Sequence, residues 1–69
     1  MEQATAIRKR FLNLREVAEF CGVSRSSVLR WEQDGLFPAR RRLGPARVGW
    51  DLEELEEWAA ARQPVRAAE

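Results

Sequence analysis

Histidine and tyrosine are absent from this 69-residue chain, and cysteine occurs once. A lone cysteine forms no internal disulfide, and without histidine no zinc site of the usual Cys/His kinds can be assembled. Cys21 therefore reads as a small buried hydrophobe, in keeping with a reducing cytoplasm. The same absences leave no pairing of nucleophile with base, and no glycine-rich loop is present to cradle a phosphate. Composition thus speaks against an enzyme and against a bound cofactor or metal. Long apolar runs are also missing, because charges interrupt the chain every few residues. Neither a membrane span nor a signal-peptide core is expected, and the protein is predicted to be cytoplasmic with no membrane partner.

What is present is a globular balance of 45% apolar and 33% charged residues, with three Trp and three Phe to fill a small core. A chain this short supports one hydrophobic core worth roughly 3–5 kcal/mol, which excludes a second domain. The net charge of +1 conceals an asymmetry. Residues 1–50 hold ten basic and five acidic side chains, whereas residues 51–69 hold two and six. Eleven of the twelve basic residues are Arg, whose planar fork suits phosphate oxygens and guanine edges. One face directed at a polyanion is the reading that follows, against the plainer one of a solvated charge mosaic.

Residues 1–10 end in Arg8-Lys9-Arg10 and carry no apolar period, so they are expected to form a flexible basic arm of the kind that lies along phosphates. Asn13 followed by Glu16 marks a helix start close to a capping box. Leu14, Val17, Ala18 and Cys21 then share one helical face. Gly22 supplies the left-handed stop, Val23 re-enters the core, and Ser24 caps a second helix from about Arg25 to Asp34 that ends at Gly35. Val28 and Trp31 form its inner face. Two short helices joined by a glycine turn make a helix-turn-helix.

Pro38, Gly44 and Pro45 forbid helix over residues 36–50, and a hairpin fits better, with Leu43 and Val48 anchoring two strands and Arg40 to Arg42 and Arg47 lining the ribbon. Asp51, with Glu54 at the capping-box position, starts a third helix whose apolar stripe is Leu52, Leu55, Trp58 and Ala59. Its other face crowds four Glu between positions 53 and 57, which would repel phosphate, so this helix is placed away from any nucleic acid. Residues 63–69 are expected to be a flexible tail. The fold class is mostly α with a small β-hairpin wing, a three-helix winged helix-turn-helix over residues 11–62.

Placed in a major groove, the second helix presents Ser26, Leu29, Arg30 and Gln33 outward, with Arg25 and Ser27 at its start. Arg holds guanine O6 and N7 together, Gln holds adenine N6 and N7, and a helix N-terminus favours phosphate. Arg40, Arg41, Arg42 and Arg47 on the wing would lie against the backbone or enter a neighbouring minor groove. The alternative for Arg30 and Gln33 is ordinary solvated surface. Trp31, Trp50 and Trp58 would stack on bases only in a single-strand binder; inner-face positions make a shared core cluster the better reading.

Four blocks carry a family likeness: Phe-Leu-Asn-Leu-Arg-Glu-Val-Ala-Glu from Phe11, Gly-Val-Ser-Arg-Ser-Ser-Val from Gly22, Gly-Leu-Phe-Pro from Gly35, and Val-Gly-Trp followed by Glu-Glu-Trp ending at Trp58. In this order and spacing, over residues 11–62, the chain resembles the AlpA family of small phage and mobile-element regulators. The resemblance implies a MerR-like winged helix-turn-helix, with the second helix as recognition helix and Arg40 to Arg47 as wing. It implies a transcriptional regulator of a prophage or mobile element, or an excisionase that bends DNA and assembles cooperatively on it. Double-stranded DNA is the partner so implied, and an integrase or RNA polymerase is a further candidate partner. The chain departs from many relatives in having Ala46 where they place an Arg, with Arg47 beside it and hence on the opposite face of a strand. A reading of another class is an adaptor whose acidic third helix binds a basic protein partner.

Overall fold

The computed structural model describes residues 9–65. Its elements run β1 (Phe11–Leu12), α1 (Leu14–Cys21), α2 (Arg25–Gln33), β2 (Arg41–Gly44), β3 (Arg47–Asp51) and α3 (Leu52–Ala60). Three helices and an antiparallel hairpin, β2–β3, give the helix-turn-helix with a wing that the sequence predicts.

Local chemistry sets each helix boundary. Asn13 Oδ1 accepts from the Glu16 amide at 2.8 Å while the Asn13 amide donates to Glu16 Oε1 at 2.9 Å, a complete capping box at the start of α1. At the other end Gly22 takes φ 73°, and the amides of Gly22 and Val23 both reach the Ala18 carbonyl, at 2.8 and 3.0 Å. Only glycine adopts that left-handed geometry without strain, which makes the turn into α2 tight. Ser24 Oγ accepts from the Ser27 amide at 3.1 Å and caps α2, which closes at Gly35 with φ 76°.

Val17, Val28 and Leu55, one from each helix, are fully buried and meet Ala18, Phe37 and Trp50 in the core. Burying side chains of this size stabilises the fold by about 1.5–3 kcal/mol each. Leu14, Cys21, Val23, Trp31 and Trp58 pack against this centre and are half-buried. Burial still pushes the Cys21 thiol up from its ordinary pKa, so it stays protonated near neutrality.

Several expectations are corrected by the structure. Residues Phe11 and Leu12 form a strand of their own, paired with β3 in the register Phe11 to Asp51 and Leu12 to Trp50, so the sheet has three strands in the order β1-β3-β2. Ala59 lies exposed rather than on the apolar stripe of α3. Glu54 does not complete a capping box: Asp51 Oδ1 accepts from the Glu53 amide at 2.9 Å, while the Glu54 carboxylate is taken by Arg41. Trp31, Phe37 and Trp58 form a mutual aromatic cluster, in which the Phe37 ring centroid is 4.7 Å from that of Trp58 in an edge-to-face pair. Trp50 is buried beside it in the core.

Candidate nucleic-acid interface

The candidate surface begins with α2. Arg25, Ser26, Leu29, Arg30 and Gln33 are all exposed. For Ser26 and Arg30 the exposure follows from the helix period, since Val28 faces the core and the residues two positions to either side point away from it. Ser27 differs from the others: it is half-buried, and its Oγ accepts from Ser24 Oγ at 3.0 Å, so its hydroxyl serves the cap of α2.

The wing is attached to the helices through residues 36–40. Trp58 Nε1 donates to the Leu36 carbonyl at 2.9 Å, and Trp50 Nε1 donates to the Pro38 carbonyl at 3.0 Å. The Arg40 amide donates to Glu32 Oε2 at 2.8 Å. Three side chains from α2, β3 and α3 thus hold the connection between recognition-helix candidate and hairpin. Glu32 is the residue here that sequence reasoning missed. Nothing in the local pattern distinguishes it from a solvated glutamate, because its partner lies eight residues on in an irregular segment.

Charges divide into two groups. Arg10 contacts Asp51 with Nε at 3.1 Å and Nη2 at 3.1 Å, and reaches Glu53 at 3.4 Å; Lys9 pairs with Glu16, Arg15 with Glu19, Arg40 with Glu32 and Arg41 with Glu54. Hydrogen bonding from Arg10 and Lys9 holds the Asp51 and Glu16 carboxyls below their ordinary pKa, and Asp51 and Glu54 in turn raise those of Arg10 and Arg41. The Arg62 guanidinium stacks over the Trp58 ring at 4.6 Å. Arg25, Arg30, Arg42 and Arg47 form the second group: among the described residues none of them meets a carboxylate within 4.0 Å.

The structure therefore gathers the predicted residues unevenly. Among the described residues, Arg25, Ser26, Arg30 and Gln33 on α2 and Arg42 and Arg47 on the wing are exposed with no side-chain partner, while Arg40 and Arg41 are engaged with Glu32 and Glu54. Lys9 and Arg10, assigned by sequence to a flexible arm, are tied to α1 and to the start of α3, where the Arg10 carbonyl also accepts from the Leu52 amide at 2.7 Å. The rest of that arm, residues 1–8, lies outside the described residues, as do residues 66–69 of the tail. No His/Cys/Asp/Glu cluster among the described residues has the makings of a metal site. Nor is any described helix long and apolar enough to cross a membrane.

The family of the prophage CP4-57 regulatory protein (AlpA) matches residues 10–63, the whole of the described fold apart from its outermost residues. The chain belongs to the AlpA family. A protein of Enterobacteria phage P4, named uncharacterized protein ORF88, is 38% identical over 55 residues, covering 80% of this chain and 62% of its own length. This AlpA-family chain thus spans about three-fifths of that relative. No solved structure matches it. The family is one of prophage regulatory proteins.

Proposed function

We propose that this protein binds double-stranded DNA in a sequence-specific manner and regulates transcription of a prophage or mobile element, without catalytic activity of its own. The observation that carries the reading is the coincidence of chemistry with place. Five arginines lack a carboxylate partner among the described residues: Arg62 stacks on the Trp58 ring and donates to the Trp58 carbonyl, and the other four, Arg25, Arg30, Arg42 and Arg47, all sit on α2 or on the wing.

In this reading α2 enters the major groove. Arg25 lies at its N-terminus, where side chain and helix dipole together favour a phosphate. Arg30 and Gln33 reach base edges, and a good bidentate contact of either kind is worth about 1–3 kcal/mol of discrimination. Ser26 supplies a hydroxyl to base or phosphate, and the wing places Arg42 and Arg47 on the flanking backbone or in the adjacent minor groove. One such domain buries about 600–1,000 Å² on a half-site, so repeated sites and cooperative occupancy are the expected mode of action.

The test is fluorescence anisotropy with a labelled mixed-sequence duplex across a salt series, followed by selection of the preferred site from a random pool. Four neutralised phosphates predict a log–log slope of roughly −3.6. Arg30→Ala is expected to relax the selected sequence at one position and to weaken binding to that site more than to random duplex. A slope near zero, or an Arg30→Ala protein with unchanged affinity and unchanged preference, overturns the proposal.

A further inference from the structure

We infer that the three consecutive wing arginines divide their labour: Arg42 contacts DNA, whereas Arg40 and Arg41 are positioning residues that brace the wing against α2 and α3. This rests on the DNA-binding reading above and refines it residue by residue.

The division starts from the strand period. Successive residues of β2 point to opposite faces of the ribbon. Arg41 stands opposite Gly49 and Arg42 opposite Val48 on β3, so the two guanidinium groups leave from different sides. The Gly49 side leads two residues on to Asp51, the cap of α3, and one helical turn further to Glu54. Arg41 is bound there: its Nε and Nη2 reach the two oxygens of Glu54, and Asp51 adds to the field that keeps it charged. A phosphate arriving on this side would meet two carboxylates beside the one arginine. Even with the Arg41–Glu54 pair broken, the ladder register keeps Arg41 on the acidic side of the wing.

Arg40 is engaged at both ends. Its amide donates to Glu32 Oε2 at 2.8 Å, its Nε lies 3.8 Å from the same oxygen, and its guanidinium is 6.0 Å from the centroid of the Trp50 ring. The Glu32 side chain is only 14% exposed, so it faces the wing root rather than solvent. Glu32 comes from α2 and Glu54 from α3, which makes them two struts at the base of the hairpin. Arg42 leaves from the Val48 side, and Arg47 shares the Gly49 side by the same period but stands beside the turn, four residues along the strand from Asp51; neither meets such a strut among the described residues.

The experiment compares salt slopes of Arg40→Gln, Arg41→Gln, Arg42→Gln and Arg47→Gln on one mixed-sequence duplex, with folding checked by far-ultraviolet circular dichroism. Arg42→Gln and Arg47→Gln should each flatten the slope by about 0.9, the loss of one phosphate contact. Arg40→Gln and Arg41→Gln should weaken binding while leaving the slope of the wild type. A charge exchange isolates the bracing role: Arg41→Glu alone should weaken binding, and Arg41→Glu combined with Glu54→Arg should restore affinity to within about threefold of wild type at an unchanged slope. The division is overturned if Arg41→Gln flattens the slope as much as Arg42→Gln does, or if the exchanged pair binds no better than Arg41→Glu alone. A wild-type slope near zero is a different result, which removes the DNA-binding reading and this division with it.

Discussion

The indole nitrogen of Trp50 donates to the carbonyl oxygen of Pro38 at 3.0 Å, from the middle of the hydrophobic core to the chain that leaves the helix-turn-helix. With the parallel bond from Trp58 to Leu36, it fixes the path of residues 36–38 and so the direction in which the hairpin departs from α2. A side chain that contributes both core volume and a polar anchor separates two contributions to stability that can be tested independently.

Trp50→Phe keeps most of the apolar volume and removes the donor. Leaving the Pro38 carbonyl without its partner should cost about 1–3 kcal/mol. Trp50→Ala removes the ring as well and should cost about 3–5 kcal/mol, comparable to the entire stability expected of so small a domain. Urea unfolding should therefore show a reduced midpoint for the first and a largely unfolded protein in buffer for the second. Equal, small effects of the two would show that the ring is not the centre of the core.

Gly49 is the point where three strands leave no space. A Cβ built there lies 3.0 Å from Leu43 Cδ1, 3.2 Å from Phe11 Cβ and 3.4 Å from the Leu12 carbonyl oxygen. The leucine tip can swing aside, but the Phe11 Cβ is fixed to the β1 backbone, so Gly49→Ala must strain the β1–β3 pairing. The expected cost is about 1–3 kcal/mol, as for other overpacked sites. Combining it with Leu43→Ala should cost less than the sum of the two single changes, because one of the three close approaches disappears; strict additivity would contradict this packing.

Both of these contacts lie beyond what is readable in the sequence, which is local. The capping box at Asn13 and Glu16, the stops at Gly22 and Gly35, and the hairpin around Pro45 all depend on residues within a few positions of one another, and each appears as predicted. The two-residue strand β1 has no pattern of its own, since its existence depends on β3 lying 38 residues away in the register Leu12 to Trp50. Phe37 reads as part of an irregular, proline-containing segment, and only the fold shows it joining Trp31 and Trp58. The same limit applies to charge. Composition separates a basic front from an acidic third helix, but it takes strand register to show that Arg41 falls to the acidic side and Arg42 to the other.

The cap of α2 links stability to the candidate interface. Ser24 Oγ accepts from the Ser27 amide and donates to the Ser27 hydroxyl, so Ser24→Ala removes both bonds at the N-terminus of the helix proposed to enter the groove. A loss of about 1 kcal/mol in unfolding free energy is expected, typical of a serine cap. Ser24→Asp should retain the cap, as it supplies an acceptor and a negative charge at the helix N-terminus, yet that charge lies one residue from Arg25. Stability near that of the wild type with weakened DNA binding is the expected outcome for Ser24→Asp, whereas Ser24→Ala should mainly affect stability. Binding to both proteins at the strength of the wild type would place the phosphate contact elsewhere than the start of α2.

Acid should unfold the protein in a way that traces to named pairs. The Asp51 carboxyl is held below its ordinary value of 3.8 first by the hydrogen bond from Arg10, and Glu16 below 4.5 first by the bond from Lys9. A carboxyl whose pKa is lower folded than unfolded contributes stability that is complete above the unfolded value and vanishes as pH falls through the folded one. The chain contains no histidine, so no side chain of that type titrates between these carboxyls and neutrality. Urea midpoints are accordingly expected to be nearly flat from about pH 7 to 5 and to decline below about pH 4.5. Asp51→Asn keeps an oxygen for the Glu53 amide but no charge for Arg10, and Asn is as good a cap as Asp. The variant should be less stable than wild type at pH 7 and lose less on acidification, so that the two curves converge toward pH 3. Curves that run parallel throughout would show that the Arg10–Asp51 pair contributes nothing to the acid response.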